Sequence, residues 1–273
     1  EQIMDMIKFS LPFADIAFSA QTNLTLLDES KINFIKNRLD GIIGTSYSPE
    51  LRFTGEDRYK EDLWHSNLNL AIQNDIRLYF VITLCKEYIE NNSPQDLIDF
   101  LIKYHAYSFH IEPLTKNGNS EGNWDKIAIS SEQYDEWKSE FTKLFIHSKF
   151  YLNMARSIIA DKAKTFFDKE FVGCACRDCM LKTLTINANG TIGACPNVSK
   201  KIIIGTLEDS FSKIINSELR SQLIISERLR RQECLDCSFF QVCNGGCMQA
   251  TGCYEGKKFF RVLEEALNTN KEF

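Results

Sequence analysis

The sequence predicts an α/β protein in which a parallel sheet comes first and a cysteine-rich segment follows it. Two observations support this prediction. Strand and helix patterns alternate through the first part of the chain, and nine of the ten cysteines lie between Cys174 and Cys253. Only Cys85 precedes this segment. Thiols that merely fill a core would not crowd in this way, so we expect sulfur to hold the C-terminal third together.

Four buried strands are predicted before residue 114, at residues 15–22, 41–46, 76–84 and 106–113. The strand at 76–84 is an uninterrupted apolar run, as expected of a strand covered on both faces. Helices separate the strands: Asp28 caps one, a second spans about 59–73, and Ser93-Pro94 opens a third with proline at its first helical position. Strands connected by helices of this length imply crossovers and a parallel sheet.

A long amphipathic helix is predicted after the polar loop at residues 115–130. Ser130 and Gln133 have the spacing of a capping box. An apolar stripe follows it, which we expect to pack in a core rather than to bind a ligand: Tyr134, Trp137, Phe141 and Leu144. The strand–helix alternation stops near residue 170. The predicted domains are therefore a partial α/β domain at 1–160, a cysteine-rich domain at 171–255 and a C-terminal helix at 256–273.

Composition excludes several classes of protein. Lys and Arg number 32 against 37 Asp and Glu, so the formal net charge is -5, which disfavours nucleic acid as the main partner. No apolar run approaches the roughly 20 residues that span a membrane, and no signal peptide precedes the first strand. We expect a cytoplasmic protein. Glu1 is not an initiator methionine, so we also expect residues upstream of it in the natural protein.

The cysteines follow a definite spacing. Residues 174–179 read C-A-C-R-D-C, and a hairpin around Asn189-Gly190 then leads to Cys195. After 38 intervening residues comes the run C-x2-C-x5-C-x3-C with a further cysteine beyond it: Cys234, Cys237, Cys243, Cys247 and Cys253. Gly245 and Gly246 let the backbone turn tightly between Cys243 and Cys247.

Three chemistries could use these thiols. Disulfides suit secreted chains, and nothing here indicates secretion. Structural zinc needs four ligands, which Cys234 and Cys237 with another pair could supply. Iron–sulfur clusters each need four thiolates, so eight or nine cysteines suit two clusters better than one zinc ion. We therefore interpret the segment as an iron–sulfur domain.

At these cysteines the sequence resembles the SPASM domain of radical S-adenosylmethionine (SAM) enzymes, over roughly residues 174–255. The resemblance implies two auxiliary [4Fe–4S] clusters. The first would take Cys179, Cys195 and Cys247, with Cys174 or Cys176 as its fourth ligand. The second would take the remaining four: Cys234, Cys237, Cys243 and Cys253.

The resemblance extends upstream through single residues. Thr22-Asn23 is similar to the end of a family strand, and Pro113 to the residue after the last barrel strand. Ser46, at a strand end, and Arg58, twelve positions later, resemble a serine and an arginine that bind SAM. Together they imply a partial radical-SAM-like (β/α)6 barrel before the SPASM domain.

One family motif does not occur in these residues. The catalytic cluster of the family is held by C-x3-C-x2-C, whereas Cys174, Cys176 and Cys179 give C-x1-C-x2-C. We expect that the motif either lies in an upstream segment or has been lost. SAM and a third [4Fe–4S] cluster are expected only if that segment is present.

The resemblance implies an enzyme that modifies a peptide or protein substrate after translation by radical chemistry, with an electron donor as a further partner. The alternative is a non-catalytic iron–sulfur or zinc module that binds a precursor peptide for a partner enzyme. Cys85 is expected to be a buried structural thiol. The four histidines show no metal-ligand spacing, and no residue is assigned a catalytic role.

Overall fold

The computed structural model describes residues 2–53, 59–116, 118–154, 156–171, 173–198, 200–249, 252–253 and 255–269. Within these ranges, residues 3, 59, 118, 119, 153, 156–158, 173 and 174 are described by their backbone alone. The chain divides into two compact units. Unit 1 comprises Glu1–Leu114 and Glu140–Ala160, and unit 2 comprises Thr115–Ser139 and Asp161–Phe273.

The described residues contain eight strands, of which the three longest match predicted ones. They are β1 Gln21–Thr22, β2 Ile42–Tyr47, β3 Arg77–Leu84, β4 Ser108–Pro113, β5 Arg156–Ser157, β6 Thr185–Ile186, β7 Thr191–Gly193 and β8 Gly205–Thr206. The first strand is shorter than predicted, because only Gln21 and Thr22 pair with β2. β5 and β8 have no sequence signal, since two residues show no periodicity.

The four helices that the sequence predicts before residue 150 are present as α2, α4, α6 and α8. The helices of the described residues are α1 Gln2–Ser10, α2 Glu29–Arg38, α3 Pro49–Arg52, α4 Tyr59–Gln73, α5 Lys86–Asn91, α6 Pro94–Lys103, α7 Trp124–Ile127, α8 Ser131–His147, α9 Ile158–Asp168, α10 Cys179–Lys182, α11 Phe211–Ile215, α12 Glu218–Arg228, α13 Gln232–Leu235, α14 Phe240–Cys243 and α15 Lys257–Thr269. None of these helices is both long and apolar enough to cross a membrane.

Side chains begin three of these helices as predicted. Asp28 accepts a hydrogen bond from the Lys31 amide at the start of α2. Ser93 and Asp96 form the capping box of α6. Ser130 and Gln133 form that of α8, where each residue's side chain accepts from the other's amide. Each cap satisfies amide groups that the first turn of a helix leaves unpaired.

Unit 1 is built on a parallel sheet in the order β1-β2-β3-β4-β5. β2 pairs with β3 from Ile42↔Arg77 to Tyr47↔Ile82, and β3 pairs with β4 from Tyr79↔Ser108 to Leu84↔Pro113. The predicted α/β class with a parallel sheet is confirmed. Because parallel strands run the same way, β1 and β2 end at the same edge of the sheet.

The central strand β3 is fully buried on one face, not on both as its apolar run predicts. Successive side chains point to opposite faces of a sheet. One set is almost inaccessible to solvent, namely Leu78, Phe80, Ile82 and Leu84. The intervening residues Tyr79, Val81 and Thr83 are only half-buried. Aromatic rings complete the core of unit 1: the Tyr47 and Phe100 rings stack at 3.8 Å, and the buried Trp64 donates to the Thr45 hydroxyl at 3.2 Å.

Unit 2 contains an antiparallel sheet in the order β6-β7-β8. The predicted hairpin is confirmed: Ile186 pairs with Ile192, and Gly190 takes the left-handed conformation with φ +80° that its turn requires. A small apolar cluster packs against this sheet and consists of Met180, Ile192, Ala194, Cys195, Val198, Ile204 and Ile214. One of the predicted ligands, Cys195, is thus part of the core.

Candidate functional site

The carboxyl edge of the parallel sheet carries the first predicted site residue. Ser46 lies near the end of β2, and its hydroxyl accepts a hydrogen bond from the side-chain amide of Gln21 at 3.4 Å. Arg52, in α3, donates to the carbonyl oxygen of Ser46 and, at 3.2 Å, to that of Asn23. A hydroxyl and a guanidinium therefore meet where β1 and β2 end. Arg58, the predicted partner of Ser46, lies outside the described residues.

Arg52 is a candidate binding residue that no sequence motif indicated. Its guanidinium carbon lies 5.2 Å from the centre of the Phe53 ring and 5.9 Å from that of Trp64. Burial lowers the pKa of Arg52, but arginine stays charged at neutral pH. A charged, ring-supported guanidinium at a sheet edge can bind a carboxylate. Its only sequence signal is its position one helical turn after Ser48-Pro49.

Cys85 is buried at the N-cap position of α5, with 1% of its surface exposed. Burial raises the pKa of its thiol, and the charge of Glu50 raises it further. Metals bind the thiolate rather than the thiol. The structural role expected for Cys85 stays a prediction.

Cys179 and Cys247 lie within electrostatic range of Cys195, and we call these three cysteines of unit 2 the Cys179 group. Burial raises the pKa of Cys195, and the negative charges of Cys247 and Cys179 raise it further. Cys179 begins α10, and Cys195 follows β7. The resemblance places these same three residues on one cluster. Their assignment as ligands remains a prediction.

The neighbouring Cys176 is also held in place. It lies in a 3-10 turn at Gly173–Cys176, where its thiol donates a hydrogen bond to the carbonyl oxygen of Phe171 at 2.8 Å. Burial, Asp178 and Cys179 all raise the pKa of Cys176. Cys174 lies in the same turn, and its side chain is outside the described part of the chain.

The remaining cysteines form what we call the Cys243 group: Cys234, Cys237, Cys243 and Cys253. Burial raises the pKa of Cys243 to about 12, and the negative charges of Glu255 and Cys253 contribute. Arg231 donates to the Cys234 sulfur at 3.9 Å and to the carbonyl oxygen of Gly252. One guanidinium thereby links Cys234 to the residue before Cys253. Cys237 is on the same turn as Cys234, because its amide donates to the Cys234 carbonyl oxygen.

The comparisons with known proteins support an iron–sulfur domain. Residues 174–238 match the family model of SPASM, an iron–sulfur cluster-binding domain. The chain has the radical SAM/SPASM fold. Its fold matches the solved structure of anSMEcpe with bound AdoMet and Kp18Cys peptide at a TM-score of 0.72 and 15% identity, over 98% of this chain and 78% of that chain.

A second solved structure has the same fold. The structure of Streptococcus suis SuiB bound to S-adenosylmethionine matches at a TM-score of 0.54 and 14% identity, over 90% of this chain and 59% of that chain. Both anSMEcpe and SuiB are radical SAM/SPASM maturases. A search of curated protein sequences finds no match. The SPASM match ends at residue 238, so Cys243, Cys247 and Cys253 lie beyond the matched range.

The donor set of the SPASM segment fits iron–sulfur clusters. Its cysteines form no disulfide among the described residues, and both groups consist of thiols alone. In the described part of the chain, no three His, Cys, Asp or Glu side chains lie close enough to hold one metal ion. A [4Fe–4S] cluster is larger than one ion and binds each thiolate at a different iron, so its ligands lie farther apart.

Two buried charged residues contact the backbone at Cys179 and near Cys247. The Glu227 carboxylate accepts hydrogen bonds from the amides of Cys179 at 3.0 Å and Met180 at 2.9 Å. Arg177 donates to the carbonyl oxygens of Gly245 at 2.8 Å and Glu227 at 3.4 Å. Gly245 has φ +77°, and a Cβ there would lie 2.9 Å from the Arg177 guanidinium.

Neither role could be read from the sequence. Glu227 is 48 residues from Cys179, and Arg177 is 68 residues from Gly245. Arg177 does lie inside the C-A-C-R-D-C segment, which is its only sequence signal. These contacts join two cysteine-bearing turns that are far apart in the chain.

Proposed function

We propose that the intact protein is a radical SAM/SPASM enzyme that modifies a peptide or protein substrate after translation. The observation that carries this proposal is the match of residues 174–238, which include Cys179 and Cys195, to an iron–sulfur cluster-binding domain; Cys247, beyond the match, lies within electrostatic range of Cys195. The proposed domains are a partial (β/α)6 barrel at 1–160, a SPASM domain at 171–255 and a C-terminal helix at 256–273.

In this proposal the SPASM domain binds two auxiliary [4Fe–4S] clusters. The Cys179 group holds one, with Cys174 or Cys176 as the fourth ligand, and the Cys243 group holds the other. When bound, such clusters supply electron transfer or an open iron for substrate. The chain's own residues bury Cys195 and donate hydrogen bonds to the sulfur atoms of other cysteines. The Gln249 amide donates to Cys247 at 3.4 Å, and Arg231 donates to Cys234. Both kinds of contact tune a metal site.

A peptide substrate is supported by the fold relatives. The anSMEcpe structures contain a Kp18Cys or a Cp18Cys peptide together with AdoMet. We assign Ser46 and Arg58 to SAM binding, with Arg52 beside Ser46 as a further cation. The partners in the proposal are therefore a peptide or protein, SAM and an electron donor. We place the reaction in the cytoplasm.

Metal content tests the cofactor assignment. Anaerobically purified protein should hold about eight irons and a similar amount of acid-labile sulfide per chain, and should absorb broadly at about 400 nm. Stoichiometric zinc without sulfide would overturn the iron–sulfur assignment. Adding a chelator to the zinc form would then unfold unit 2, since such domains couple folding to metal binding.

A second experiment tests where catalysis resides. The 273 residues contain no C-x3-C-x2-C, so with SAM and dithionite they should produce no 5′-deoxyadenosine. A longer natural chain that carries C-x3-C-x2-C upstream should produce it. Formation of 5′-deoxyadenosine by residues 1–273 would mean that C-A-C-R-D-C serves as a catalytic site, and the ligand assignment would have to change.

The alternative function is a non-catalytic SPASM module that binds a precursor peptide for a partner enzyme. The observation that favours it is the same missing triplet. The two functions separate in one measurement on the full natural chain. Tight peptide binding with iron present but no SAM cleavage supports the binding module, whereas SAM cleavage supports the enzyme.

A further inference from the structure

Unit 2 contains a buried cluster of three charges that the cysteine spacing does not explain. Lys138 from α8 and Lys162 from α9 both contact Glu255, at 2.9 Å and 2.6 Å. All three are almost completely buried, with 1%, 5% and 4% of their surfaces exposed. We call them the Lys138–Lys162–Glu255 cluster. Burying three charges is unfavourable unless each is well paired, so this arrangement needs a reason.

The cluster adjoins the Cys243 group. Glu255 lies two residues after Cys253. Lys138 donates to both the carboxylate and the carbonyl oxygen of Glu255. The charges of Glu255 and Lys162 act on Cys243 in opposite directions: Glu255 raises the pKa of that thiol and Lys162 lowers it. Two ammonium groups and one carboxylate thus lie within electrostatic range of Cys243.

Another buried carboxylate of unit 2, that of Asp135, has a different role. Asp135 accepts hydrogen bonds from the amides of Lys258 and Phe259, both at 2.9 Å, at the start of α15. Gly256 is fitted against it, because a Cβ there would lie 2.1 Å from the Asp135 carboxylate. Asp135 therefore anchors the chain after Cys253. The Lys138–Lys162–Glu255 cluster itself contains two ammonium groups and one carboxylate.

The charges of Lys138, Lys162 and Glu255 can change the reduction potential of a [4Fe–4S] cluster bound nearby. One-electron reduction adds one negative charge and changes no bond. In a buried site, a nearby cation stabilises the added charge and a nearby anion opposes it, and salt in the solvent screens such pairs only weakly. Net charge and burial are among the properties that set the potentials of iron–sulfur clusters.

We propose that the Lys138–Lys162–Glu255 cluster sets the reduction potential of the iron–sulfur cluster held by the Cys243 group, with Lys162 raising the potential and Glu255 lowering it. The inference rests on the proposed cofactor assignment. In this proposal Lys162 does not bind iron. It is a positioning residue that acts on the iron–sulfur cluster through its charge.

The test is a dithionite titration of the anaerobically reconstituted full chain, followed by electron paramagnetic resonance. Lys162→Met removes one cation and leaves the Lys138–Glu255 pair intact. We expect the equilibrium constant for reducing one of the two clusters to fall at least tenfold, which is about 59 mV for a one-electron couple. Lys162→Arg keeps the charge and should stay near the wild-type potential.

Two further variants complete the design: a matched control, and a variant that should shift the reduction potential in the opposite direction. Lys164→Met changes an exposed lysine of the same helix and should leave both potentials unchanged. Glu255→Gln keeps a hydrogen-bond acceptor but removes the anion, so the potential should rise. This second variant keeps the inference testable if Lys162→Met does not fold.

Each outcome has a definite meaning. Wild-type protein without iron and sulfide would overturn the cofactor assignment and this inference with it. Wild-type protein with two clusters, together with unchanged potentials in both Lys162→Met and Glu255→Gln, would overturn this inference alone. If Lys162→Met and Lys164→Met shift the potential equally, the effect does not come from the buried cluster.

Discussion

The two units differ in what they bury. Among the described residues, unit 1 buries apolar side chains and a few uncharged polar ones, such as Thr45 and Asn67. Unit 2 buries charges, namely those of Asp135, Lys138, Lys162, Arg177, Arg220, Glu227 and Glu255. Apolar burial is non-directional, whereas a buried charge must meet its partner in one geometry. The comparison indicates that unit 1 is stabilised by its packed core and unit 2 by specific contacts around its cysteine turns.

The largest expected effect is the loss of iron from single cysteine variants. Cys247→Ala and Cys243→Ala should each remove mainly one cluster, or about half of the iron, because each cluster needs four thiolates. Both should also destabilise unit 2. Iron and sulfide assays measure the loss, and Cys85→Ala in unit 1 is the control. A loss of iron in Cys85→Ala as large as in the other two would mean that Cys85 is not merely structural.

A variant in the apolar core of unit 1 tests how much that core contributes to stability. Phe80 of β3 is fully buried, so Phe80→Ala should lower the free energy of unfolding by about 4 kcal/mol through lost burial and a cavity. Iron content should not change. Urea unfolding of anaerobic protein measures the stability. Phe13→Ala, at a residue that is 100% exposed, should change it by less than about 0.5 kcal/mol. Iron loss in Phe80→Ala would show that the two units are not independent.

A charged residue of unit 2 should affect both stability and metal. Glu227→Ala leaves the buried amide of Met180 and the partly buried amide of Cys179 without their acceptor, which should cost about 3 kcal/mol. Because this contact holds the Cys179 backbone, iron binding by the Cys179 group should weaken as well. Glu218→Ala, at an exposed position of the same helix, is the control. Equal effects of the two substitutions would contradict a positioning role for Glu227.

The smallest effect is expected at a helix cap of unit 1. Ser93→Ala removes the N-cap of α6 and should cost about 1 kcal/mol. Hydrogen bonds from the Ser93 side chain and amide lower the pKa of Asp96 from 3.8. A lowered carboxyl pKa contributes stability above about 3.8 that is lost as the pH falls further. Thermal unfolding at a series of pH values should show this acid dependence weakened in Ser93→Ala. An unchanged pH profile would assign no role to the capping box.

Local patterns in the sequence were sufficient for much of the fold. Apolar runs predict β2, β3 and β4, and the capping residues predict where α2, α6 and α8 begin. The hairpin of unit 2 follows from Asn189-Gly190. The division of the cysteines into the Cys179 group and the Cys243 group is what the resemblance to the SPASM domain implies, and it stays a prediction. These signals depend on residues that are near one another in the chain.

The tertiary structure alone decided which distant groups support the cysteines. Lys138 reaches Glu255 across 117 residues, and Glu227 reaches the Cys179 amide across 48. A lysine on an amphipathic helix normally faces solvent, so nothing in its local pattern predicts burial. Arg52 likewise meets Ser46 and Asn23 only because two parallel strands end at the same edge. Contacts between residues far apart in the chain leave no periodicity in the sequence, and they form only when each unit packs.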